Sequence, residues 1–212
     1  MSTAMKACRD CPRLAGFLDQ VRQKEPGYFA APVPPFGVDA PRLLIVGLAP
    51  GMHGANRTGR PFTGDYAGIL LYQTLFDFGF ATGPISVSAD DALRLTDCRI
   101  TNAVKCLPPE NKPEPAEIRN CNRHLQAEMT SLESVRVVLA LGLVAHKAVL
   151  MARGLKASAF VFGHNVRHEL PGGQVLIDSY HCSRYNTQTR RLTPASFADV
   201  FKAIRTELGP AL

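Results

Sequence analysis

Six cysteines stand in a chain of 212 residues. Cys8 and Cys11 form a C-x2-C pair, Cys106 and Cys121 are separated by fourteen residues, and Cys98 and Cys182 stand apart. A C-x2-C pair lets two thiolates grip one metal centre, and two further cysteines complete a tetrathiolate shell, which both zinc and an iron–sulfur cluster accept. Spacing alone does not separate the two. A chain of this length buries roughly 70% of its unfolded surface and needs no disulfide staples. The opening stretch MSTAMKACRDCPRL lacks the apolar run of a secretory signal, so a cytoplasmic setting is expected. In a reducing compartment, closely spaced cysteines are more often metal ligands or redox groups than disulfides.

The remaining chemistry-bearing residues fall after strand-like runs. Arg42 to Gly47 (RLLIVG) and Arg136 to Gly142 (RVVLALG) are continuous apolar segments, the pattern of strands buried on both faces. Arg99 to Val104 is read as another strand, and Val166 to Leu170 and Gln174 to Ser179 flank a Pro-Gly-Gly turn. Helices are expected over Tyr66 to Phe78 with Ile69, Leu70, Leu75 and Phe76 on the apolar face, over Pro115 to Ser131, from the third strand to near Gly154, and from Thr193 to Leu208. Residues 26–41, rich in proline and glycine, read as an extended ordered loop. Strands alternating with helices predict an α/β sheet covered on both faces. Ligands of such sheets bind at the carboxyl ends of the strands. Three polar clusters lie there in sequence, Leu48 to Asp65, Lys105 to Lys112 and Tyr180 to Asn186, and one crevice can collect them. The Gly-rich turn G-L-A-P-G after the first strand matches neither G-x-x-x-x-G-K-[ST] nor G-x-G-x-x-G, which counts against a nucleotide-hydrolysing fold.

Taken in order, these segments resemble the iron–sulfur uracil-DNA glycosylases. The segments are Cys8-x2-Cys11, Gly47-Leu-Ala-Pro-Gly51, His53-Gly-Ala-Asn-Arg-Thr-Gly-Arg-Pro-Phe-Thr-Gly-Asp-Tyr-Ala-Gly68, Thr101-Asn-Ala-Val-Lys-Cys106, Pro108-Pro-Glu-Asn-Lys-Pro113, Cys121 and His181-x-Ser-Arg-x-Asn-Thr-Gln-Thr189. They span nearly the whole chain. The type 4 branch carries a Glu after the first glycine of the first motif, whereas Leu48 stands here, and the long insert resembles type 5. His181-Cys182-Ser183 departs from the family's usual His-Pro-Ser.

The resemblance implies a three-layer α/β/α sandwich with a four-stranded, mainly parallel sheet, and a [4Fe–4S] cluster on Cys8, Cys11, Cys106 and Cys121. It also implies excision of uracil and other deaminated or damaged bases from DNA, leaving an abasic site. Breaking an N-glycosidic bond makes the sugar positive and the departing base negative, so groups facing each charge are needed, and the base must first leave the stack. His181 is expected to donate to the leaving base, Asn102 to complement its edge, Phe62 to stack on it, and the Gly47, Leu48, Ala49 and Gly51 loop to approach it closely. Asp65 is the carboxylate expected to face the sugar or orient water; the bland alternative is a helix N-cap. Ser183, Arg184, Tyr185 and Asn186 form a polar loop suited to phosphates and to holding the opened duplex, and Arg57 and Arg60 are further phosphate candidates. The other histidines, among them His146 and His168, read as surface or structural residues.

A single domain over residues 1–212 with an N-terminal cluster-binding segment is expected, acting as a monomer on DNA. Charged residues (20%) and apolar residues (46%) are in globular proportion, and the net charge of +6 permits a polyanion partner without demanding one. The longest apolar run, Val137 to Ala145, is far short of a membrane span. The competing reading is a zinc-stapled nucleic-acid-binding module, which would have no need of Asn102, Phe62 and His181 together.

Overall fold

The structure is a computed structural model that describes residue 5 and residues 7–209. Its centre is a six-stranded sheet of β1 (Phe36–Gly37), β2 (Leu43–Gly47), β3 (Cys98–Asn102), β4 (Val137–Leu141), β5 (Arg167–Glu169) and β6 (Val175–Ser179), in the order β1-β3-β2-β4-β6-β5. The four inner strands are parallel, with Leu43 opposite Cys98 and Val137, and Val137 opposite Val175. The two short outer strands are antiparallel to their neighbours. The expected four-stranded parallel sheet is thus the core of a larger one. The extra strands are a two-residue pairing inside the proline-rich stretch and the first arm of the Pro-Gly-Gly hairpin.

Helices cover both faces. They are α1 (Pro12–Lys24), α2 (Ala55–Thr58), α3 (Tyr66–Asp77), α4 (Pro115–Ser131), α5 (Leu143–Ala152), α6 (Arg184–Gln188) and α7 (Pro194–Leu208). Successive side chains of a strand point to opposite faces. Leu43 and Ile45 therefore join Leu71, Tyr72 and Leu75 of α3 and Phe197, Phe201 and Ile204 of α7, while Leu44 and Val46 join Leu125 and Met129 of α4 and Ala145 and Val149 of α5. The result is the three-layer sandwich. Local signals fix the helix starts: α4 has Pro115 in its first turn and a capping box between Glu114 and Glu117, and α7 is capped by Thr193 with Pro194 behind it.

Helix α3 corrects one expectation. Ile69 and Phe76 face solvent, and the buried face is Leu71, Tyr72 and Leu75. The run Ile69-Leu-Leu-Tyr72 is apolar all round, so its periodicity offers two phases, and the packing of α7 selects one. Among the described residues no helix is long and apolar enough to cross a membrane.

Candidate active site and cysteine centre

The loops after β2, β3, β4 and β6 meet in a crevice of about 530 Å³ at the carboxyl ends of the strands. Leu48, Ala49, Gly51, Phe62, Asp65, Asn102, His181, Ser183, Arg184 and Tyr185 line it. The three polar clusters contribute to this one place. The second cluster supplies Asn111, and Leu141, Gly142, Leu143, Val144, Tyr66 and Ala67 also line the crevice and were not anticipated. Their only sequence signal is position after a strand or at a helix start.

Phe62 and His181 form a stacked pair, with centroids 5.9 Å apart and planes 28° from parallel. Phe62 is held with a positive φ of 56°, a conformation that costs a bulky residue of order 1–3 kcal/mol. Its surroundings enforce it. Tyr72 donates its hydroxyl to the Pro61 carbonyl at 2.8 Å, Thr63 and Ser86 hydroxyls bond at 2.7 Å, and Gly68 leaves no room for a Cβ against the Phe62 carbonyl. Burial pushes the Tyr72 phenol up to about 12, so it remains a donor. Asn102 ends β3 with its Oδ1 buried and unpartnered. A Cβ on Gly47 would overlap that oxygen and stand 2.6 Å from the Phe62 ring, so glycine is required for the approach.

Asp65 occupies the N-cap position of α3 yet makes no side-chain cap bond. Its carboxylate crosses instead to α2 and accepts from the Ala55 N–H at 3.2 Å. It lies where side chains on Gly51 and Gly54 would stand. Burial raises its pKa above the ordinary carboxylate range, opposed by the Ala55 N–H and by Arg57 and His53. A carboxylate held this way is poised to meet positive charge in the crevice. His181 carries no such partner: burial pushes its imidazole down to about 4, so it is neutral at pH 7 and offers a neutral N–H.

Two of the residues expected to contact DNA have partners within the protein instead. Arg60 is buried, its guanidinium committed to Asp91 at 2.5 Å, to Ser86 Oγ at 3.1 Å and to the Ala89 carbonyl at 2.5 Å, and it lies over the Phe36 ring. It ties residues 86–91 to the Phe62 loop and has no route to a phosphate. Asn186 turns inward and donates to the His181 carbonyl at 2.8 Å. The stretch after His181 is also not a loop, since Arg184–Gln188 form α6, with the Ser183 hydroxyl accepting from the Asn186 N–H. Arg184 and Tyr185 remain exposed on the rim, Arg184 stacking over Tyr66, and Arg57 is exposed beside Asp65. Replacing Arg60 by alanine is therefore expected to lower unfolding stability by about 2 kcal/mol, since it removes the charged hydrogen bonds that a buried guanidinium makes to the half-buried Asp91, Ser86 and the Ala89 carbonyl. The salt dependence of DNA binding should stay unchanged. Urea melts and a binding titration at several salt concentrations check both.

Cys8, Cys11, Cys106 and Cys121 converge on one concavity, which also touches Lys105, Asn120 and His124. The Lys105 N–H donates to Cys121 Sγ at 3.3 Å, Arg123 to Cys8 Sγ at 3.7 Å and Asn120 to Cys11 Sγ at 3.9 Å. Burial and the neighbouring sulfurs push the Cys106 thiol up to about 12. Such a thiol is a poor nucleophile, and only a bound cation would make it a thiolate. Four cysteines sharing one concavity form a donor set that fits a metal cluster. Cys98 and Cys182 are buried in the main core, away from it.

Fold and crevice together define an α/β protein of the open-sheet class, with a Phe–His stack in a crevice at the carboxyl ends of its parallel strands. Residues 34–205 match the family model described as the uracil DNA glycosylase superfamily, and the chain belongs to that family. It is 49% identical over 202 residues to the type-5 uracil-DNA glycosylase of Thermus thermophilus, covering 92% of this chain and 91% of that one. It is 41% identical to the type-5 enzyme of Mycobacterium bovis, covering 99% and 81%. The type-4 enzyme of Pyrobaculum aerophilum is 35% identical over 143 residues, 66% of this chain.

Proposed function

We propose that this chain is a monofunctional DNA glycosylase of the type 5 kind, hydrolysing the N-glycosidic bond of uracil and of other deaminated bases in DNA to leave an abasic site. The observation that carries the reading is the convergence of Asp65, Asn102, Phe62 and His181 on one crevice. The flipped base lies against Phe62, with Asn102 on its polar edge. His181 donates to a carbonyl of the base, a bond that strengthens as negative charge develops. Asp65 faces the sugar and the incoming water. The water oxygen bonds to the anomeric carbon, its proton passes to the carboxylate, and the bonding pair leaves with the base. Arg57, Ser183, Arg184 and Tyr185 meet the DNA around the opening. Cys8, Cys11, Cys106 and Cys121 would hold a [4Fe–4S] cluster, which when bound contributes a structural cross-link between the N-terminal segment and the β3–α4 region. Residues 1–212 act as one domain and as a monomer in the cytoplasm.

Incubation with labelled duplexes bearing uracil, hypoxanthine, xanthine or ethenocytosine, without added metal, should give alkali-labile sites. Binding without any such sites would favour a non-catalytic nucleic-acid module instead. The pH profile adds a test of His181. Because burial holds its imidazole down at about 4, no inflection is expected near the free imidazole value of about 6.5, and any loss due to its protonation should appear only well below pH 6. The sign for stability follows: a depressed pKa contributes stability above about 6.5 that is lost as pH falls toward 4. An inflection near 6.5 that disappears in His181→Ala would contradict a neutral donor.

A further inference from the structure

Among the described residues the His181 ring makes no hydrogen bond; its contact is the stack on Phe62. Its aim therefore depends on the backbone that carries it. Three residues earlier, on β6, stands Asp178, fully buried. Its Oδ1 meets His146 Nδ1 at 2.8 Å and its Oδ2 meets His168 Nε2 at 3.0 Å. The other nitrogen of His146 meets the Phe160 carbonyl at 3.0 Å. Both nitrogens of His146 are therefore engaged, one by the carboxylate and one by a backbone carbonyl, which fixes the ring between β6 and residue 160. Two ligands on one tetrahedral zinc stand about 3.3 Å apart. The shorter contacts here close the group through protons rather than around a metal ion.

The same residue is pinned through its main chain. Its N–H donates to the Val166 carbonyl at 3.0 Å, and its carbonyl accepts from Asn165 at 2.8 Å. Further along, Gly142 donates to the Ser179 carbonyl at 2.8 Å, one helical turn before His146. Helix α5 is thus joined to β6 at two levels immediately before His181. Tyr180, between them, stacks on His164 at 5.0 Å with Arg191 over its ring at 4.4 Å. Gly142 itself lines the crevice, and a Cβ there would touch His181 Cβ at 3.4 Å.

We propose that Asp178, held between His146 and His168, is a positioning residue for His181: it sets the strand exit from which the leaving-base donor is aimed. This rests on the reading of His181 given above. A donor displaced by a fraction of an ångström loses most of its worth in the transition state and little in ground-state binding.

The test is a double-mutant cycle on single-turnover excision of uracil and of hypoxanthine, with Asp178→Asn, His181→Ala and the pair. Asp178→Asn alone is expected to slow excision on the order of ten- to a hundredfold, with KM unchanged and the preference between the two bases shifted toward that of His181→Ala. On the His181→Ala background the same change should cost less than about twofold, because nothing remains to be aimed. An equal loss on both backgrounds, or an unshifted base preference, overturns the proposal and leaves Asp178 a purely structural residue. If Asp178→Asn does not fold by circular dichroism, His168→Gln, which frees one carboxylate oxygen and keeps the His146 pair, is put through the same comparison with the same outcomes. Wild-type rates in His181→Ala itself would overturn the reading of His181 and this proposal together. A slow His181→Ala with additive Asp178→Asn overturns the positioning role alone.

Discussion

Asp65→Asn is expected to abolish most excision while leaving the protein as stable as before, or more so. Burial raises the Asp65 carboxyl, so the ionised form required at neutral pH is disfavoured by the fold. A raised carboxyl pKa contributes stability below the free value and loses it as pH rises through the folded one, so at pH 7 the charge is a net cost. The amide keeps an acceptor for the Ala55 N–H and removes that cost. Chemistry moves the other way. Loss of a preorganised charge facing a positive sugar slows reaction on the order of 10²–10³-fold. The loss should be similar for every base, since each departs from the same sugar. His181→Ala, in contrast, should change the rank order of bases, hurting most those that leave poorly as anions. Single-turnover rates on uracil and hypoxanthine, beside thermal melts, check both halves. Full activity in Asp65→Asn would leave the carboxylate without a chemical role. Because its side chain does not cap α3, the capping alternative predicts no loss of stability here either, and the rate alone decides.

Cys106→Ala should lose iron and the docking of the N-terminal segment together. The four cysteines join residues 8–11 to residues 106–121, and around them lie Leu14, Val104, Ala49 and Ile118 as a small apolar cluster of their own. Helix α1 packs there and against Leu107, not into the main core. Without the metal bonds its anchoring falls to these apolar contacts and to the ion pairs of Arg13 with Glu114 and Glu117. A drop in Tm on the order of 10 °C is expected, with early proteolysis before residue 25. Cys98→Ala and Cys182→Ala should keep full iron. Iron analysis and limited proteolysis separate the cases, and full iron content in Cys106→Ala would remove that residue from the ligand set.

The inner strands, α4 and α7 were legible because their signals are local: unbroken apolar runs, Pro115 after Glu114, Thr193 before Pro194. Helix α1 was not read, although Pro12 and the spacing of Leu14, Leu18 and Val21 carry a helical pattern. The cysteines there drew the reading to metal binding instead. Helix α6 is too short to show a period, and its one mark is the Ser183 cap. The crevice residues were legible as a set through their order along the chain. The fate of Arg60 was not, because an arginine in a polar loop looks the same whether it reaches a phosphate or an aspartate of its own chain. Only Asp91, thirty-one residues on, decides it. The Asp178 group was hidden for the same reason. His146, His168 and Asp178 lie on three elements, and nothing in their spacing announces that they meet.

The sheet's margins carry one more consequence. Its outer strands are two and three residues long, the first preceded by Pro32, Pro34 and Pro35, the last carrying Arg167 and Glu169, with Arg167 paired to Glu207 at 2.6 Å. Prolines cannot donate to a ladder, and charges resist burial against a neighbouring chain. The strongly apolar inner strands are thereby shut off on both sides from templating a seventh strand. A molecule that opens transiently at α1 keeps its sheet closed to other copies, so partial loss of the cysteine centre should yield soluble, protease-sensitive protein rather than fibrous aggregate.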